Sequence, residues 1–165
     1  MRSRVAHITL LSLLSSLTVF GQANAPEGLA TNTVAPDIPG VVRGGTTVQV
    51  ISDGFGGTEG PIALPDGSLI FTENASSRIA KIGTNGTIST FMENTNGANA
   101  LAFDAAGRLI AVQRGDGAGK PQIAVIYPLG QEAVLADSVD GIPLSRPNDL
   151  VVDKKGGVYF TEPPA

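Results

Sequence analysis

The stretch NALAFDAAGRLIAVQ (residues 99–113) has two counterparts in the chain, EGPIALPDGSLIFTE (residues 59–73) and NDLVVDKKGGVYFTE (residues 148–162). Each stretch is an alternating apolar run, a turn that contains glycine, and a second apolar run, which is the pattern of two antiparallel strands. The copies start 40 and then 49 residues apart (59 to 99, 99 to 148). Self-similarity at this spacing predicts a fold built from repeated units.

Short runs between the copies complete a four-stranded unit. Residues 78–82 and 87–91 flank an Asn85-Gly86 pair, which is a strong hairpin signal. Residues 122–127 and 132–135 form a second hairpin pattern, and no segment after residue 25 shows helical periodicity. The sequence therefore predicts an all-β fold, a β-propeller of four-stranded antiparallel blades, with the first strand of each repeat lining the central channel.

The repeats divide the chain into three parts. We expect a signal peptide at residues 1–25, an N-terminal tail or edge segment at residues 26–45, and an incomplete propeller domain at residues 46–165. A propeller closes with about four to eight blades, whereas roughly two and a half units are present here. The sequence therefore favours the N-terminal portion of a longer chain. The alternative is a short protein that closes by assembling with copies of itself.

The first 25 residues have the features of a secretory signal. Arg2 and Arg4 form a basic start, residues 8–20 are mainly apolar, and Ala23-Asn24-Ala25 fits the small-x-small cleavage rule. We predict export to the periplasm or the extracellular space after cleavage near Ala25. A membrane anchor is the alternative, although the apolar run is short for a membrane span.

Charge and residue inventory exclude several function classes. The chain has 11 Lys and Arg against 15 Asp and Glu, and loss of Arg2 and Arg4 leaves 9 against 15, a net charge of −6. We therefore expect no nucleic-acid partner and, after signal removal, no membrane partner. Cysteine is absent and the single histidine, His7, lies in the signal. Thiolate nucleophiles, histidine triads and histidine-bound zinc are excluded for the rest of this chain.

Oxygen-bearing side chains occupy the same place in all three copies. Glu59, Asn99 and Asn148 each lie eight residues before the turn glycine, where the first strand begins. Carboxylate and amide oxygens are the ligands that hard cations such as Ca²⁺ prefer. The repeat therefore predicts a metal or ligand site where the first strands meet. Asp104 and Asp153 lie three residues before the glycine, and we predict that they cap the turns.

These motifs together resemble the SMP-30/gluconolactonase/LRE-like family. EGPIALPDGSLIFTEN (residues 59–74) is similar to the first blade of that family, residues 99–109 to the second, and RPNDL with the following strands (residues 146–161) to the third. The resemblance covers about residues 50–165. It implies a six-bladed propeller with one divalent cation, usually calcium, at the bottom of an axial pocket. Members of the family are typically lactonases or related hydrolases.

The resemblance also implies roles for individual residues. Glu59 corresponds to a direct metal ligand, and Asn148 corresponds to a residue that faces the metal or the substrate and is predicted here as a second ligand. Arg146 and Asn99 are predicted to contact the substrate, and Asp149 to support the metal ligands. Two further ligands, including the Asp expected to act as base or nucleophile, would lie beyond Ala165, so the catalytic residue is not assigned.

The leading hypothesis is an exported, metal-dependent hydrolase that opens a sugar lactone or a similar cyclic ester, a small-molecule substrate. In such a site the cation would polarise the carbonyl and a carboxylate would accept a proton. One alternative is a non-catalytic propeller that binds a ligand or a protein. Another is a related hydrolase of phosphoesters or organophosphates with the same metal ring. The oligomeric state is left open.

Overall fold

The computed structural model describes residues 29–117 and 119–164, so the predicted signal peptide lies outside the described residues. Within the described part the regular secondary structure is almost entirely β-strand, with one short 3-10 helix at Asn74–Ser76. The described residues contain no helix long and apolar enough to cross a membrane. The strands in chain order are β1 (Leu29–Val34), β2 (Thr47–Val50), β3 (Thr58–Ala63), β4 (Leu69–Glu73), β5 (Arg78–Ile82), β6 (Ile88–Met92), β7 (Ala98–Phe103), β8 (Leu109–Gln113), β9 (Gln122–Tyr127), β10 (Ala133–Ala136), β11 (Ser138–Val139), β12 (Ile142–Pro143), β13 (Leu150–Val152) and β14 (Val158–Phe160).

Two four-stranded antiparallel sheets form the centre of the molecule. Strands β3 to β6 make blade 1 and strands β7 to β10 make blade 2, each in chain order. Strands β13 and β14 pair as the first two strands of a third unit, here called the half-blade. Strand β7 contacts both β3 and β13, so the first strands of the three units lie side by side. The predicted all-β architecture of four-stranded blades is confirmed.

The turns inside the three repeats have the same geometry. Gly67, Gly107 and Gly156 have φ values of +81°, +76° and +88°, which glycine adopts without steric cost. Each glycine N–H donates to the carbonyl three residues back, at 2.9, 3.0 and 3.1 Å. Asp104 and Asp153 each accept two backbone N–H groups of their own turn through Oδ1. The prediction that these aspartates cap the turns is confirmed.

Blade 2 is covered on both faces, which explains why residues 109–112 of its strand β8 are all apolar. Leu109 and Ala111 pack with residues of blade 1 such as Ile70. Ile110 and Val112 point the other way and belong to a second apolar cluster that includes residues of the half-blade. Because successive strand residues face opposite sides, a strand buried on both sides is apolar throughout.

Two features extend the pattern predicted from the sequence. Within residues 26–45, predicted as a tail or an edge segment, β1 forms a strand that pairs with β2. Strands β11 and β12 form an additional hairpin of two residues each. Such short strands have no detectable alternation of polar and apolar residues, so no sequence period could indicate them.

Candidate active site at the inner strands

The first strand of each complete blade is irregular near the residue predicted for the site. The register of β3 against β4 shifts between Glu59 and Ile62. The register of β7 against β8 shifts between Ala98 and Leu101, a segment that contains Asn99. Bulges of this kind bend a strand and redirect its side chains, and they are frequent beside functional sites. The repeat therefore places an irregular backbone at the same point of both blades.

Gly60, the glycine that follows Glu59, allows strands β3 and β7 to lie close together. Its φ is +51°, and a Cβ atom added there would lie 2.7 Å from the carbonyl oxygen of Asn99 and 2.9 Å from the nitrogen of Leu101. Both neighbours are backbone atoms, which cannot move aside as a flexible side chain could. The glycine of the Glu-Gly-Pro motif is thus required by packing between blades.

Thr72 connects the first strands of blades 1 and 2. Its hydroxyl lies 2.7 Å from the carbonyl oxygen of Asn99 and 3.1 Å from that of Glu59. The residue is 0% exposed, and a buried hydroxyl is costly without a hydrogen-bond partner. The bond therefore stabilises the main chain at Glu59 and Asn99 in one fixed relation.

Asn99 extends this connection to the half-blade. Its Nδ2 donates to the carbonyl oxygen of Asn148 at 2.7 Å and lies 3.4 Å from Asn148 Oδ1. Its Oδ1 accepts a hydrogen bond from Asn74 Nδ2 at 2.8 Å. Asn99 is only 2% exposed. The structure therefore brings two of the predicted site residues, Asn99 and Asn148, into direct contact.

Arg114 is a second donor to the side-chain oxygen of Asn148. Its Nη2 donates to Asn148 Oδ1, and its Nε donates to the carbonyl oxygen of Pro147 at 3.3 Å. Asn74, Asn99, Asn148 and Arg114 form a continuous series of polar contacts across blade 1, blade 2 and the half-blade, called here the inner amide network. It holds the starts of β7 and β13 against each other.

The side chains of the remaining predicted site residues lie outside the inner amide network. Glu59 is exposed and lines a cleft of about 390 Å³ with Phe55 and Pro61. Within the described part of the chain, no hydrogen bond or ion pair is recorded for the carboxylate of Glu59 or the guanidinium of Arg146, which is also exposed. Asp149 accepts a hydrogen bond from the N–H of Leu150 at 2.8 Å.

Glu162 holds the segment that carries Arg146. Its Oε1 accepts the backbone N–H groups of Arg146 at 2.9 Å and of Ser145 at 2.5 Å. These two bonds, that from Arg146 first, lower the pKa of the Glu162 carboxyl below its usual value. Arg146 is therefore positioned through its main chain, by the last residue of the repeat.

The last residues of the other two copies, Glu73 and Gln113, also bind the segment that precedes the first strand. Glu73 accepts the N–H of Gly56 at 3.3 Å, and Gln113 donates to the carbonyl oxygen of Thr95 at 2.9 Å. In each copy, the residue that ends the repeated stretch binds the segment leading into the first strand. These contacts stabilise the approach of the chain to the site.

Sequence reasoning did not identify Thr72, Asn74, Arg114 or the role of the residue that ends each copy. An alignment of the three copies contains a signal for two of these residues, Asn74 and Arg114. Asn74 and Arg114 both lie seven residues after the turn glycine, and each donates to the side-chain oxygen of an Asn at the start of the next unit. Extending the repeat by one residue would have shown two hydrogen-bond donors at equivalent positions.

The donor set for a metal is incomplete among residues 29–117 and 119–164. In this range, no group of three or more His, Cys, Asp and Glu side chains could hold a metal ion. The oxygens that the network gathers are amide and carbonyl oxygens, with the Glu59 carboxylate exposed on the neighbouring strand β3. A cation at this site would thus be held by isolated oxygens from different units.

Comparison with known proteins identifies a curated relative that matches nearly the whole chain. No protein-family model matches. A gluconolactonase from Zymomonas mobilis subsp. mobilis is 22% identical to the chain, over 98% of this chain and 51% of that protein. The chain therefore spans about half the length of this curated relative.

Solved structures match the fold as well as the sequence. A gluconolactonase from Xanthomonas campestris is 28% identical, with a TM-score of 0.61 over 69% of this chain and 37% of that one. A second structure, described by a structural genomics project as a putative gluconolactonase, is 29% identical, with a TM-score of 0.59 over 68% of this chain and 38% of that one. Virginiamycin B lyase from Staphylococcus aureus, 16% identical with a TM-score of 0.51 over 72% of this chain and 39% of that one, shares the fold alone.

Sequence and structure agree on one group of relatives. The three repeats, the four-stranded blades and the adjacent first strands are the elements of a partial propeller. The relatives that share both fold and sequence are gluconolactonases. The chain is therefore a homologue of the gluconolactonases, as its resemblance to the SMP-30/gluconolactonase/LRE-like family predicted, and it forms part of their propeller fold.

Proposed function

We propose that this chain contributes the first inner strands of a lactonase-type hydrolase, which opens a sugar lactone or a similar cyclic ester. The observation that carries the proposal is the contact of Asn99 with Asn148 across two units, beside the strand that carries Glu59. Homology to gluconolactonases supports the reaction class. Two of the three residues that the repeat predicted for a common site, Asn99 and Asn148, are thus in contact, and Glu59 lies on the adjacent strand β3.

The Glu59 carboxylate fits the proposed divalent cation, which we take to be Ca²⁺ because oxygen donors suit it. It is exposed, and it is engaged by no recorded hydrogen bond within the described residues. A hard cation binds such a carboxylate readily. When bound, the cation would polarise the lactone carbonyl and favour ionisation of water. We propose Glu59 as a ligand of this cation.

Asn148 fits the cation less well in its observed orientation. Its Oδ1 accepts a hydrogen bond from Arg114 and lies 3.4 Å from Asn99 Nδ2. A guanidinium beside this oxygen repels a second cation at the same atom. The ligand role of Asn148 stays a prediction, and the observed contacts favour the role of substrate contact that the family resemblance also allows.

The other residues of the chain would bind and orient the substrate. Arg146 is exposed beside Asn148, on a segment that Glu162 holds through two backbone N–H groups. A guanidinium so placed suits hydroxyl and carbonyl oxygens, to which it donates in a fixed fork. Asn99 is buried, and its amide keeps Asn148 in place. We propose that Arg146 contacts the substrate directly and that Asn99 acts mainly by orienting Asn148.

The proposal is tested by measuring hydrolysis of glucono-δ-lactone by the full protein that is naturally expressed from the gene encoding this chain. We expect hydrolysis that a chelator abolishes and calcium restores. Glu59→Ala should lower kcat/KM by about 100-fold or more, since loss of a direct metal ligand should cost at least as much as loss of a supporting residue. Glu132→Ala, which removes an exposed carboxylate in the outer turn of blade 2, is the matched control. Full activity of Glu59→Ala would refute the assignment.

We propose export for the whole protein, on the basis of the signal features at residues 1–25. The mature chain would then begin at Pro26. The measurement is the intact mass and N-terminal sequence of the protein recovered from a cell fraction outside the cytoplasmic membrane. Recovery of the uncleaved chain in the cytoplasm would contradict the proposal.

A further inference from the structure

We propose that Arg114 and the side-chain amide of Asn148 form a donor-only site for the carboxylate of a hydroxylated acid, the product class of lactone opening. The proposal rests on the proposed function for its choice of ligand. The site itself lies within the inner amide network, where Arg114 contacts Asn148. It gives Arg114 a direct role in binding, which no sequence motif had assigned.

The orientation of the Asn148 amide follows from the chemistry of its neighbour. A guanidinium has only donors, so the atom that meets Arg114 Nη2 must be the oxygen of the amide. Asn99 Nδ2, another donor, also lies 3.4 Å from that oxygen. Because Oδ1 faces both donors, the two N–H groups of Asn148 Nδ2 are directed away from them. The amide thus presents donors on its remaining side.

Arg114 carries a charge without an acidic partner among the described residues. The ion pairs recorded there join Arg78, Lys81 and Arg108 to carboxylates, and none includes Arg114. Its recorded bonds run from Nε to Pro147 and from Nη2 to Asn148, both to neutral oxygens. The guanidinium is half-buried. Since a partly buried charge is stabilised by an opposite charge, an anion is the ligand this position favours.

The repeat shows that this charge is a specific feature of blade 2. The equivalent residue of blade 1 is Asn74, which makes the same contact to the next unit with a neutral amide. An amide is therefore sufficient to join adjacent units. Arg114 makes that contact and adds a positive charge and further N–H groups, with Nη1 in no recorded hydrogen bond to a described residue. Those additional groups are available to a ligand.

The proposed ligand matches the charge that lactone hydrolysis creates. Water adds to the carbonyl carbon, the bond from that carbon to the ring oxygen breaks, and the ring oxygen takes one proton of the water to become a hydroxyl. The acid then releases its proton, which leaves a carboxylate. Negative charge resides on the former carbonyl oxygen during the addition and on both oxygens afterwards, and fixed donors stabilise it at each stage.

Binding can be measured without catalysis by calorimetric titration of the full natural protein with sodium gluconate. Sorbitol, a neutral polyol of the same length, is the control ligand, and EDTA removes any contribution from a bound cation. We expect gluconate to bind more tightly than sorbitol. Arg114→Gln should weaken gluconate binding by about ten-fold, as expected for loss of a charged hydrogen-bond partner, and should leave sorbitol binding nearly unchanged. Arg108→Gln, which removes the same charge at the Asp104 turn, should bind gluconate like wild type.

Equal gluconate affinity for Arg114→Gln and Arg108→Gln, or no preference of the wild type for gluconate, would overturn the proposal. Should Arg114→Gln fail to fold, as judged by thermal unfolding, Arg114→Lys serves instead because it keeps the charge and loses the fork. Wild-type affinity in folded Arg114→Lys would also overturn it. Lactone hydrolysis is assayed separately: absent hydrolysis with Arg114-dependent gluconate binding refutes only the proposed function, and the reverse result refutes only this inference.

Discussion

At the scale of single residues, Gly60 lies where the backbones of blades 1 and 2 approach each other closely. We predict that Gly60→Ala lowers the free energy of unfolding by about 2–4 kcal/mol, through a positive φ and a clash with the backbone of β7. Gly107→Ala is the matched control, because Gly107 has a φ of +76° and nothing within 4 Å of an added Cβ. It should cost about 1 kcal/mol. Equal losses in denaturant unfolding would show that the clash is relieved.

Asp66 provides a residue-scale prediction for pH. Hydrogen bonds from Ser68, its hydroxyl first and its backbone N–H next, lower the pKa of Asp66 to about 2. A carboxyl with a lowered pKa in the folded state stabilises that state above its unfolded pKa, and this contribution is lost as pH falls toward about 2. Asp66→Asn should therefore reduce Tm at neutral pH, and the difference from wild type should shrink between pH 4 and pH 2.

The direct check is NMR titration of the Asp66 carboxyl. Ser68→Ala removes the largest cause of the low pKa, so the pKa of Asp66 should rise toward its ordinary value. Asp66 would keep its contacts with the Ser68 N–H and Lys81, so the rise should be partial. An unchanged pKa in Ser68→Ala would assign the shift to another neighbour.

At the residue scale, the aspartates that cap turns could be predicted from the sequence, whereas the hydrogen-bond partners of Asn99 and Arg114 could not. Asp104 and Asp153 bond atoms within four residues of themselves, so local chemistry determines their role. Asn99 and Arg114 bond residues 49 and 34 positions away. Such contacts depend on how the blades pack, and no local pattern specifies them.

At the scale of elements, the three units share a device that holds the segment leading into the first strand. In the half-blade this is Glu162, which accepts the N–H groups of Ser145 and Arg146. We predict that Glu162→Ala speeds amide hydrogen exchange at these two positions several-fold, because both donors lose a charged acceptor. Glu93→Ala, at an exposed position between blades 1 and 2, is the control and should leave them unchanged. Unaltered exchange in Glu162→Ala would show that other contacts hold the segment.

The blade strands could be predicted because apolar runs beside glycine turns recur along the chain. Strands β8 and β9 contain unbroken apolar runs of four and five residues (109–112 and 123–127) and lie beside glycine turns, which favours buried strands. The hairpin of β11 and β12 has two residues per strand. Strands of two residues are too short to show an alternation of polar and apolar residues. Contacts with the rest of the fold therefore determine where this hairpin forms.

At the scale of the whole molecule, the proposed cation should couple to stability. A ligand that binds only the folded state stabilises it by about 2.7 kcal/mol when free at about 100 times its Kd. We therefore predict that calcium raises the Tm of the natural protein and that Glu59→Ala loses this increase, whereas Glu132→Ala keeps it. Differential scanning calorimetry with and without EDTA measures both. An equal calcium-dependent increase in Glu59→Ala would move the binding site elsewhere.

Packing between the blades leaves apolar residues on one face of the half-blade exposed. Blade 2 is covered on both faces. In the half-blade, Leu150 and Val152 pack toward blade 2, whereas Val151 and Tyr159, which pair across the two strands, are 60% and 61% exposed. An alternating strand with two apolar faces is suited to a position between two sheets. This chain spans 51% of the curated relative and 37% of the Xanthomonas campestris structure.

The sequence by itself determined the repeated unit, the turns within it and the position at which Glu59, Asn99 and Asn148 recur. These properties depend on residues that are close in the chain, whose spacing directly predicts strands and turns. Only the tertiary structure decided which side chains meet: Asn99 contacts Asn148, Arg114 binds Asn148, and Arg146 is exposed. The reason is physical, since a repeat specifies each blade, whereas the packing of one blade on the next selects the long-range hydrogen bonds that form the site.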